Sequence, residues 1–95
     1  MTACWGCVDS MDVIRVDMDG QTAIFDQNTG NTYVFDILTA EILLKLLENR
    51  LDEGRIKQHL IDVFQFDATD SLDDHIATAL ADLEQSFLVH RLSTC

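Results

Sequence analysis

Cys4-Trp5-Gly6-Cys7 is the pairing in this chain whose spacing best fits redox or metal chemistry. A structural zinc site takes four ligands, and neither a second CxxC nor a close histidine pair supplies the other two. A thioredoxin-type dithiol follows a strand and opens a helix; this one lies in an N-terminal arm. The thiols are therefore read as incidental. Three cysteines (Cys4, Cys7 and Cys95), odd in number and split between the two ends, make no disulfide framework, so reduced thiols are expected. His59, His75 and His90 share no HExxH or i, i+4 spacing, which leaves them as surface or boundary residues. Asp67, Asp70, Asp73 and Asp74 resemble a calcium loop in composition, but the central Gly and terminal Glu are missing. No GxSxG, GxGxxG or Walker-type loop occurs. Catalysis, metal and cofactor are thus not expected.

What remains is chemistry of the backbone. In Gly30-Asn31-Thr32-Tyr33-Val34-Phe35-Asp36, a turn leads into β-branched and aromatic residues, and Asp36 stands where a helix N-cap belongs. As a sheet edge, this strand would offer unpaired N–H and C=O groups to a partner peptide. The bland alternative is an edge blunted by the N-terminal arm or by Leu88–Leu92.

The elements that position this strand follow in order. Val13–Asp17 and Thr22–Asp26 flank Asp19-Gly20, a strong hairpin signal. Asn28-Thr29-Gly30-Asn31 supplies the next turn and Thr32–Phe35 the third strand, which gives an antiparallel meander with its first and third strands as edges. Three helices are expected next. The first runs from Asp36 to about Asn49 on Leu38, Ile42, Leu43, Leu46 and Leu47. The second runs from Asp52 to Phe64 on Ile56, Leu60, Val63 and Phe64. The third runs from Asp70 or Ser71 to Phe87, with Leu72, Ile76, Ala79, Leu80, Leu83 and Phe87 as one stripe. Leu88–Leu92 reads as a short closing strand or an ordered tail. The result is an α+β fold of winged-helix size, βββααα, with residues 1–12 as a flexible arm and residues 13–92 as one domain.

The 95 residues are 47% apolar, enough for one core, and carry a net charge of −11. Arg15, Lys45, Arg50, Arg55, Lys57 and Arg91 are dispersed, so phosphate backbones and anionic membranes are repelled. A helix-turn-helix use of the third helix would place Asp73, Asp74, Asp82 and Glu84 against phosphates. Apolar runs such as Ile42-Leu43-Leu44 are far too short to span a bilayer, and the first dozen residues do not form a signal peptide. A cytoplasmic protein with a neutral or basic peptide partner is expected.

From Val13 to Val89 the order and spacing of these elements resemble the PqqD-like peptide chaperones, also called RiPP recognition elements. The resemblance is carried by Ile24-Phe25-Asp26, the Asn28-Thr29-Gly30 turn, Thr32–Phe35, and Asp36 opening a Leu-rich helix. It continues in Asp67 ahead of a long helix bearing Leu80 and Leu83. Trp5 ahead of the first strand is similar to a branch that accompanies HPr-kinase-like proteins. Two departures stand out: Asp36 replaces the family's Asn, and Ser86-Phe87-Leu88 replaces its Leu-Gly-Leu, which removes an easy left-handed C-cap.

The resemblance implies a winged-helix-like, non-catalytic module. It takes the leader of a ribosomally made precursor as an added strand and presents it to a modifying enzyme. Carried over by position, Asn31, Thr32, Tyr33, Val34, Phe35 and Asp36 form the pairing edge, and His75, Ala79, Asp82, Leu83 and Ser86 the wall of a groove. The register is not fixed by the sequence; Tyr33 and Phe35 are expected inward. The alternative is a regulatory or structural subunit that docks on a kinase-like or other partner through its helices. The protein is expected as a monomer or an edge-paired homodimer.

Overall fold

A computed structural model describes residues 4–7, 12–65 and 70–92. Asp67, Cys95 and the arm residues 1–3 and 8–11 lie outside them. The expected meander is present. β2 (Val13–Met18), β3 (Gln21–Asp26) and β4 (Thr32–Asp36) form an antiparallel sheet in the order β2-β3-β4. Gly20 and Gly30 take positive φ (72° and 79°) in the two turns, where a side chain would be strained. The buried Asp26 carboxylate fixes the second turn, accepting from the Asn28 N–H (2.9 Å) and the Thr29 hydroxyl (3.0 Å).

Three helices follow: α1 (Ile37–Glu48), α2 (Glu53–Phe64) and α3 (Asp70–Gln85). Asp36 and Asp52 cap the first two, accepting from the N–H groups of Thr39 (3.3 Å) and Arg55 (2.8 Å), as a side-chain oxygen at that position should. The core gathers Ile24 from the meander and Ile42, Leu43 and Leu46 from α1. Ile56 and Leu60 from α2 and Leu72, Ile76, Leu80 and Leu83 from α3 complete it. Val63, expected on the buried stripe of α2, is instead 48% exposed.

The arm is where the fold departs from expectation. Cys4–Cys7 is not part of a loose arm: it is β1, the middle strand of a second antiparallel sheet between β5 (Leu51–Asp52) and β6 (Val89–Leu92). Trp5 stands opposite Leu51 on one side and Arg91 on the other, and its indole is buried in the core with the Arg91 guanidinium 5.2 Å from the ring centroid. Leu88–Leu92 thus closes on β1 and does not cover the meander.

The end of α3 also differs. The helix stops at Gln85, and Phe87 adopts a left-handed conformation (φ 60°). The Phe87 N–H donates to Glu84 O (3.0 Å) and the Leu88 N–H to Leu83 O (3.0 Å). These are the two bonds of a Schellman motif, with Leu88 packed into the core that holds Leu83. Phe87 therefore leaves the apolar stripe and is 84% exposed. A left-handed non-Gly residue costs about 1–2 kcal/mol. Phe87→Gly should consequently raise the unfolding free energy by about 1 kcal/mol in urea titration; a loss of stability would mean that the ring makes a contact of its own.

Candidate functional site

β4 is the edge the sequence pointed to. Its residues pair with β3 from Phe25↔Thr32 to Gln21↔Asp36, and among the described residues no strand pairs with its other side. The Asp26 N–H donates to Asn31 O (2.8 Å). With bonded and non-bonded pairs alternating in an antiparallel ladder, the register then makes Ile24↔Tyr33 and Thr22↔Phe35 the bonded pairs. The backbone groups of Thr32 and Val34, and the N–H of Asp36, consequently point away from β3.

The side chains alternate to match. Tyr33 and Phe35 face inward as expected, half-buried against the core and stacked at 6.1 Å between centroids. Thr32, Val34 and Asp36 are exposed. Asn31 is exposed at the start of the strand.

The other edge, β2, differs in chemistry. Its outward backbone lies at Val13, Arg15 and Asp17, and charged side chains blunt an edge. Arg15 Nε binds Asp17 Oδ1 at 2.9 Å and its Nη1 reaches Glu41 Oε2 on α1 at 3.2 Å. Glu41 Oε1 also meets His59 Nε2 of α2 at 3.0 Å, so this polar chain fastens the meander to two helices. His59 is thereby a structural contact, and His75 and His90 are exposed.

The Arg15 guanidinium, and after it the Thr22 hydroxyl, hold the exposed Asp17 carboxyl below the usual range. A depressed carboxylate adds stability above its unfolded pKa and loses it as pH falls through the folded value. Arg15→Met should move the Asp17 midpoint, followed by carbon NMR, upward toward an ordinary aspartate. An unmoved midpoint would assign the shift to Thr22 alone.

The residues expected to wall a groove on α3 fall into two groups. His75, Asp82 and Ser86 are exposed, but Ala79 and Leu83 are buried at 2% and 0% in the protein's own core. The periodicity that put them in the apolar stripe is also what places them in the core. Moreover, α3 packs on α1, α2 and β6, while the helix against β4 is α1.

The CxxC motif is no dithiol site. Residues i and i+3 of a strand point to opposite faces, which keeps the two sulfurs of β1 apart. Cys4 is disulfide-bonded, which corrects the expectation of reduced thiols throughout, whereas Cys7 is free. Burial pushes the Cys7 thiol up to about 11, too high to form a reactive thiolate at neutral pH.

No family model, curated protein or solved structure matches the chain. Geometry and sequence pattern therefore carry the functional reading. Among the described residues, no helix is long and apolar enough to cross a membrane.

Proposed function

We propose that the chain is a non-catalytic peptide-binding module of PqqD-like type that captures an extended segment of a partner peptide on β4. The observation that carries this reading is the open edge at Thr32, Val34 and Asp36. It is uncharged except at its last residue and backed by the stacked Tyr33 and Phe35. A strand added there gains main-chain hydrogen bonds, and its alternate side chains lie beside those rings. The leader of a ribosomally made precursor is the peptide this reading favours, with its modifying enzyme as the second partner. With Ala79 and Leu83 buried, selectivity falls to the inner-face rings and the α1 side of the edge. A net charge of −11 favours a leader with basic residues and speeds its encounter.

The test is a titration of synthetic candidate leaders into isotope-labelled protein. Amide shifts concentrated on Asn31–Asp36 support strand capture. Shifts concentrated on exposed helical positions such as His75, Asp82 and Ser86 would instead favour a subunit that docks through its helices.

A further inference from the structure

The meander has two faces, and among the described residues the fold covers only one. Directly opposite residues of paired strands share a face, so the register groups Ile14 with Phe25 and Thr32, and Val16 with Ala23 and Val34. Met18, Gln21 and Asp36 complete the third row. On the other face, Ile24 and Thr22 are fully buried, and α1 packs across β3 and β4. The uncovered face is nonetheless apolar. Ile14 (47% exposed), Val16 (52%), Met18 (44%), Phe25 (39%) and Val34 (53%) stand together around the half-buried Ala23. An antiparallel sheet with one solvated face normally alternates apolar and polar residues, and here Arg15 and Asp17 have gone to the inner side while the valines and Phe25 face water.

We propose that this outer face docks an amphipathic, lysine- or arginine-bearing helix of a partner protein. Size and charge both decide the occupant. Three strands at ~4.8 Å spacing give a strip ~10 Å wide, the diameter of one helix, and five residues of strand give ~17 Å, or ~11 helical residues. A second copy laid face to face would bring a second body of charge −11. The face itself carries no cation. Asp36 occupies one corner, exposed Asp19 lies in the turn at the same end, and exposed Asp12 precedes β2 at the other. An apolar stripe with flanking cations fits that pattern, whereas anionic lipid or nucleic acid does not. Sheet covered by helix on both sides is also the layered arrangement that an open meander otherwise lacks.

The surface is distinct from the outward backbone of β4, so the two partners can bind together and each can be lost alone. The probe is a synthetic helix of three to four turns, leucine at i, i+3, i+4 and i+7 and lysine elsewhere, added to methyl-labelled protein. Saturable shifts at Ile14, Val16, Met18 and Val34 are expected. A scrambled peptide of the same composition should bind at least tenfold more weakly, and the lysine-to-glutamate version should not bind. Val16→Lys should weaken the probe at least tenfold and Val16→Ser several-fold, with β4 capture of an extended peptide unchanged. Equal binding of the scrambled peptide, indifference to both Val16 variants, shifts elsewhere, or no binding would overturn the proposal. So would a dimer of the free protein in sedimentation that Val16→Lys dissolves, since the face would then belong to a second copy.

Discussion

Trp5→Ala is expected to destabilise the protein by about 3–5 kcal/mol, the range for removing a large buried aromatic. The indole is 4% exposed and lies in the same core as Leu51 and Val89, on the strand that joins β5 to β6. Its loss opens a cavity at the centre of the second sheet and removes the platform beneath Arg91. Domains of this size hold only about 5–15 kcal/mol in total, so the variant should melt on the order of 20 °C lower.

Trp5→Phe separates packing from polarity. Among the described residues, Trp5 Nε1 is buried without a hydrogen-bond partner, and an unmade bond of that kind costs about 1–3 kcal/mol. Phenylalanine gives up some volume but also removes the orphaned donor, and should stay within about 1.5 kcal/mol of the parent. Denaturant unfolding checks both variants. A Trp5→Ala loss below about 1 kcal/mol would show that β1 lies outside the cooperative unit.

Val34→Pro should cost at least tenfold in peptide affinity while the protein stays folded. The outward Val34 N–H is the donor an added strand would meet, and proline deletes it without touching the bonded pairs at Tyr33 and Phe35. Edge strands tolerate proline where the N–H faces solvent, and the extended conformation proline demands of its predecessor is the one Tyr33 already has in β4. A charge-free main-chain bond is worth about 0.5–1.5 kcal/mol net, and the ring also obstructs the approach of the partner backbone. Val34→Thr keeps the N–H and should bind nearly as well as the parent. Equal affinity of the proline variant, measured by calorimetry on folded protein, would remove β4 from the binding site.

Much of this architecture is legible in the chain because its signals are local. Asp19-Gly20 and Asn28-Thr29-Gly30 mark the hairpins; Asp36 and Asp52 mark two helix starts, each visible within four residues of what it caps. β1 has no such signature. Cys4-Trp5-Gly6-Cys7 shows neither alternation nor turn chemistry at its ends, and its partners Leu51 and Val89–Leu92 lie half a chain and nearly a whole chain away. Trp5, as the single tryptophan in the sequence, was the one available hint that the arm is anchored.

The end of α3 is hard to read in the sequence for a related reason. Helical spacing carries Phe87 onto the stripe, but the left-handed turn that ends the helix rotates it out, and nothing in Ser86-Phe87-Leu88 announces that turn. Ala79 and Leu83, expected by position in a groove wall, lie in the core, as their place in the apolar stripe of α3 requires. The orientation of Tyr33 and Phe35 depended on register, which the Asp26–Asn31 bond supplies.

Amide hydrogen exchange across β4, with and without a bound peptide, addresses the capture mechanism at single-residue resolution. The Thr32, Val34 and Asp36 amides should exchange quickly in the free protein and gain strong protection on binding, while Tyr33 and Phe35, already bonded to β3, change little. Protection that rises uniformly along β4, or only on the helices, would contradict an added strand.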